Sequence, residues 1–123
     1  MKSILLVDDE SEFRHMLERA LVRAGYQVEA AENGEVALEV LRREPIDVVV
    51  TDLVMPEKEG LETITEMKAL RADQRIIAMS GGGRLGPETY LEIARSLGAA
   101  YVLSKPFAVK ELLAALEALS SAA

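Results

Sequence analysis

The sequence predicts an α/β fold, a parallel sheet carrying helices on both faces. Five short apolar runs, each bounded by turn residues, alternate with five stretches of helical periodicity, and no linker or internal repeat interrupts the series. Strict βα alternation builds a parallel sheet, and right-handed crossovers leave few topologies open. At 123 residues, half of them apolar, the chain suits one domain with a real core.

The first strand is expected at Ser3 to Val7, where apolar residues stop abruptly at Asp8. Phe13, Met16, Leu17, Ala20, Leu21 and Ala24 then repeat at helical spacing, and Gly25 supplies the stop. A second strand at Gln27 to Ala30 leads to a helix capped by Asn33, with Val36, Ala37, Val40 and Leu41 inward. Asp47 to Thr51 forms the third strand, followed by a helix through Leu61, Ile64, Met67 and Leu70. Arg75 to Met79 forms the fourth, followed by a helix that begins near Pro87 and presents Tyr90, Ile93, Ala94 and Leu97. Ala100 to Leu103 forms the fifth, and Leu112, Leu113, Leu116 and Leu119 mark the last helix. Continuous apolar runs of this kind suit strands buried on both faces. Met16, Met55, Met67 and Met79 are read as core or loop packing, and His15 as an exposed helix residue.

Composition narrows the function. Fourteen Lys and Arg against 21 Asp and Glu give a formal net charge of −7, which repels a phosphate backbone and argues against direct nucleic-acid binding. With no cysteine there is neither a disulfide framework nor a thiolate metal site. The first apolar run is too short for a signal-peptide core or a membrane span, so a soluble cytoplasmic protein without membrane insertion is expected.

Ligands of such sheets sit beyond the carboxyl ends of the strands. There the sequence places Asp8, Asp9 and Glu10 after the first strand, Asp52 after the third, Ser80 after the fourth, and Ser104 and Lys105 after the fifth. Clustered carboxylates repel unless a cation binds or one takes up a proton. Magnesium resolves the repulsion, because it takes a few carboxylate or carbonyl oxygens and commonly shares its shell with phosphate. Lys105 adds a compact charge suited to a phosphoryl oxygen, and Ser80 a short neutral donor. Asp52, alone at the end of a central strand, is the best candidate nucleophile for an aspartyl phosphate.

The segments VDDE (Val7 to Glu10), TDLVMP (Thr51 to Pro56), MSG (Met79 to Gly81) and GAAYVLSKPF (Gly98 to Phe107) together resemble the receiver domain of two-component response regulators. The stand-alone type, similar to the chemotaxis response regulator, is the nearest parallel. The resemblance implies a flavodoxin-like sheet in the order 2-1-3-4-5, one receiver domain over residues 1–123 and no output domain. It also implies roles: Asp52 as phosphoacceptor, Asp9 as a direct magnesium ligand, Asp8 as a ligand mostly through water, and the Val54 carbonyl as a further ligand. Ser80 matches the hydroxyl that bonds the phosphoryl group, and Lys105 the lysine that pairs with it, with a cis peptide expected before Pro106. A histidine kinase or phosphotransfer protein is the implied donor, and a protein target the implied recipient of the signal. Such a domain catalyses only its own phosphorylation and dephosphorylation and is not otherwise an enzyme. Where many receivers carry a switching aromatic, three residues before the lysine, this chain has Val102. Tyr101 precedes it and should face the opposite side of the strand.

Other readings fare worse. Asp8, Asp9 and Glu10 could simply favour the start of the first helix, but Asp52 and Lys105 then go unexplained. Gly81, Gly83 and Gly86 match the G-x-G-x-x-G dinucleotide pattern after a strand. The next strand ends in Ser104 and Lys105 rather than a ribose-binding acid, so the pattern lacks its partner. An Asp-dependent phosphatase of the large hydrolase family needs a second acid where Val54 stands. A degenerate receiver, acting as a phosphorylation-independent interaction module, would usually lack an acid or the lysine, and none is missing.

Overall fold

The computed structural model describes residues 2–53, 60–81 and 87–121. Its elements alternate as predicted: β1 (Ser3–Val7), α1 (Ser11–Arg23), β2 (Gln27–Ala31), α2 (Gly34–Arg43), β3 (Val48–Asp52), α3 (Gly60–Leu70), β4 (Arg75–Ser80), α4 (Pro87–Ser96), β5 (Tyr101–Ser104) and α5 (Val109–Ser121). All strand pairs are parallel, in the order β2-β1-β3-β4-β5. This is the flavodoxin-like order.

Local chemistry sets the boundaries. Asn33 caps α2 by accepting a hydrogen bond from the Val36 backbone N–H at 2.9 Å. Gly25, at φ +102°, takes the left-handed turn that follows α1. The third strand lies one residue later than expected, because Asp52 itself pairs with Met79 in the ladder.

Alternation splits the core into two layers. On one face Leu5, Val7, Val49, Ile76 and Ala78 pack with α2, α3 and α4 through residues such as Leu38, Leu41, Ile64, Met67 and Ala94. On the other, Ile4, Leu6, Val48, Val50, Ile77 and Met79 meet Leu17 and Leu21 of α1 and Leu112 and Leu116 of α5. Full burial of every strand is corrected at the sheet edges. Gln27 and Ala30 on β2 and Tyr101 and Ser104 on β5 are exposed, because each edge strand has a neighbour on one side only. Met16 also departs from expectation: it is 45% exposed, since the inward stripe of α1 runs through Leu17 and Leu21. Leu70, 44% exposed at the end of α3, is likewise outside the core. Met67 and Met79 are fully buried as read, whereas Met55 lies outside the described residues.

Candidate functional site

The carboxyl edge of the sheet carries the chemistry. Backbone hydrogen bonds continue the ladders past the strand ends: Asp8 N–H to Ala31 O at 3.1 Å, Leu53 N–H to Met79 O at 2.9 Å, and Lys105 N–H to Ser80 O at 2.9 Å. The chain therefore leaves each strand in a fixed direction, and the side chains at these ends converge.

Asp8, Asp9 and Asp52 each offer a carboxylate oxygen within 4.8 Å of the others. Asp8 and Asp52 are buried and Asp9 is exposed, so the cluster opens to solvent on one side. Asp8 is fixed twice. Its Oδ1 accepts from the Glu10 backbone N–H at 2.9 Å, and its carbonyl accepts from Arg14 Nη1 at 2.6 Å. Lys105 Nζ lies 3.0 Å from Asp8 Oδ2 and 3.6 Å from Asp52 Oδ2. Its peptide with Pro106 is cis, as the resemblance implied. Ser80 is completely buried at the end of β4, and its Oγ has no hydrogen-bond partner among the described residues.

One lysine does not neutralise three carboxylates. The surplus negative charge, the all-oxygen donor set and the open side fit a hard divalent cation such as magnesium. Asp8 bonds the backbone N–H of Glu10, the N-cap of α1, but the Glu10 side chain makes no capping bond and helix capping leaves the approach of Asp9 and Asp52 to Asp8 unexplained. Val54, the further ligand expected from sequence, lies outside the described residues, as do Gly83 and Gly86 of the glycine pattern. Gly81 is described, and a Cβ there would fall 2.6 Å from Lys105 Cβ, so the glycine admits the lysine. His15 is exposed on α1, as read.

Sequence reasoning missed Phe13. Its ring lies beneath the Lys105 ammonium, 4.3 Å from Nζ to the ring centroid. Helical spacing marks Phe13 as an inward residue, and nothing in that spacing signals contact with the end of β5.

Residues 4–117 match the response regulator receiver domain family. The receiver protein CpdR of Brucella abortus is 36% identical over the full length of both chains. The chain spans about half of longer regulators such as MprA of Mycobacterium leprae, which is 36% identical over 116 residues, 94% of this chain and 50% of that protein. Among solved structures, the response regulator TrrA of Thermotoga maritima, in complex with magnesium and beryllofluoride, has a TM-score of 0.85 and 32% identity and is covered over 97% of this chain and 99% of that one. A Burkholderia pseudomallei response regulator with a phosphorylated aspartic acid and a calcium ion has a TM-score of 0.84 and 32% identity, with 99% of this chain and 71% of that chain covered.

Proposed function

The chain belongs to the response regulator receiver domain family, and we propose that it is a phosphoryl-accepting switch whose acceptor is Asp52. The observation that carries this reading is the position of Asp52: buried, ending a central strand, within the acid cluster and 3.6 Å from Lys105. In the step envisaged, an Asp52 carboxylate oxygen forms a bond to phosphorus as the bond to a phosphohistidine nitrogen of the donor breaks. The electron pair of that bond stays on the imidazole, which takes up a proton if needed. Lys105 leaves part of its pairing with Asp8 to meet the phosphoryl oxygens, and the Ser80 hydroxyl donates to one of them. Asp8, Asp9, Asp52 and the Val54 carbonyl are the residues to hold magnesium, which when bound neutralises charge on the phosphoryl oxygens.

The donor is a histidine kinase or a phosphotransfer protein, and the output is a change of surface read by a protein target. Beyond its own phosphorylation and dephosphorylation the domain catalyses nothing. Direct nucleic-acid binding is not part of the proposal, given the net charge of −7. Among the described residues no helix is long and apolar enough to cross a membrane.

Intact-mass spectrometry after incubation with acetyl phosphate and magnesium tests the reading. One added phosphoryl group on the unsubstituted chain, absent from Asp52→Asn, is expected. Equal labelling of both chains, or none on either, would refute it.

A further inference from the structure

We propose that Phe13 is a positioning residue for phosphoryl transfer, its ring holding the Lys105 ammonium at the mouth of the acid cluster through a cation–π contact. The inference rests on the receiver reading above and adds a residue that composition and strand-end position did not reveal.

Three contacts converge on one ammonium. Lys105 Nζ lies 3.0 Å from Asp8 Oδ2, 3.6 Å from Asp52 Oδ2 and 4.3 Å from the Phe13 centroid. The carboxylates attract it but do not define its position well, since a lysine carries three rotatable donors on a flexible four-carbon stem. A ring face within about 6 Å supplies attraction from another direction, and removes water from that side. Phe13 is itself held: its ring lies 6.1 Å from that of Phe107, at an interplanar angle of 82°. That edge-to-face geometry favours one orientation of the pair. Leu17 and Leu21, the next inward residues of α1, are fully buried and anchor the helix that carries the ring. The lysine is 22% exposed at its side chain, so some freedom remains for the ring to restrict.

A phosphoryl group arriving on Asp52 draws Lys105 away from Asp8. With the ring in place that movement is a short slide across an apolar face, and the ammonium stays near the reacting oxygens. Without an electron-rich face the lysine spends more time directed to solvent.

Fluorinated phenylalanines separate this role from packing, because successive fluorines drain the negative ring face while changing volume little. Phe13 is replaced by its mono-, di- and trifluoro analogues, and the same series is placed at Phe107 as control. Two quantities are read: the rate of Asp52 labelling by acetyl phosphate with magnesium, and the ring-current displacement of the Lys105 side-chain NMR signals without metal. A graded fall in labelling rate at position 13, reaching about three- to fivefold for a contact at a partly exposed site, is expected, with little change at position 107. The Lys105 signals should move downfield in step with it. A flat series at position 13 while the unsubstituted protein labels normally would overturn the inference and leave the receiver reading intact. Equal falls at both positions would also overturn it, by showing that aromatic packing alone matters. Failure of the unsubstituted protein to label would remove both.

Discussion

Asp8 and Lys105 lie 97 positions apart in the chain and meet at 3.0 Å, one directly after the first strand and the other directly after the last. Asp8 is wholly buried, and the Lys105 ammonium is the cation beside its carboxylate. Removing one member of a buried pair strands the other. Lys105→Met is therefore expected to lower the stability of the metal-free protein by about 2 kcal/mol, somewhat below the range for fully buried pairs because the lysine is partly exposed. Chemical denaturation without divalent ions measures this, and an unchanged midpoint would show that solvent already screens Asp8.

Asp52→Asn acts in the opposite direction. It removes one of three mutually repelling carboxylates without changing the size of the side chain. The metal-free variant should melt higher than the parent, and magnesium should raise its melting temperature less. For the parent, magnesium at 100 times its dissociation constant contributes about 2.7 kcal/mol if the unfolded chain does not bind it. Differential scanning calorimetry with and without magnesium decides both points; a parent that ignores millimolar magnesium would contradict a preformed site.

These predictions use what the sequence made legible. The five strands could be read because buried parallel strands are continuous apolar runs, and the site acids because Asp8 and Asp52 interrupt the first and third of those runs sharply. Met16 shares helical spacing with Leu17 yet is exposed, because the apolar run of α1 is wider than the face it buries, and Leu17 and Leu21 occupy that face. Phe13 against Lys105, and Gly34 against Thr63, escaped because each depends on how separate elements dock, which no local pattern encodes.

Gly34 opens α2, where a Cβ would overlap the Thr63 side chain on α3. Thr63 is fully buried, so its side chain has little room to give way. Gly34→Ala should destabilise by about 1–3 kcal/mol through overpacking, which outweighs a helix-propensity gain of at most about 1 kcal/mol. Combined with Thr63→Ala, it should cost less than the sum of the two single changes. Additive costs in a double-mutant cycle by urea denaturation would place the strain elsewhere.

Gly81→Ala addresses the site itself. The new Cβ would stand 2.6 Å from Lys105 Cβ, an atom too close to the backbone to swing aside. The strand end must shift, carrying the ammonium away from Asp52. Labelling by acetyl phosphate should slow several-fold, by about the factor that a 1 kcal/mol loss of transition-state stabilisation gives. Stopped-flow measurement of phosphorylation reads this directly, and an undiminished rate would show that the fifth strand accommodates the methyl group without moving Lys105.

The route by which a signal leaves the site follows from the two faces of β5. Val102 pairs with Ala78 and packs against the core layer containing Ala94 and Leu97, whereas Tyr101 is 39% exposed and, by alternation, on the opposite face. A valine has no ring to rotate and no hydroxyl to bury or expose. The buried Ser80 hydroxyl, which lacks a partner among the described residues, is the group placed to respond when phosphate binds Asp52. Movement of Ser80 at the end of β4 passes to its ladder neighbours and to α4 through the layer shared by Ala78, Ala94 and Val102. Addition of beryllofluoride and magnesium should therefore shift the methyl signals of Ala94, Leu97 and Val102 more than the ring signals of Tyr101. Asp52→Asn should abolish the change, because the mimic needs that carboxylate. Shifts centred on Tyr101, with Ala94 and Leu97 quiet, would instead assign the output to the exposed edge of the sheet.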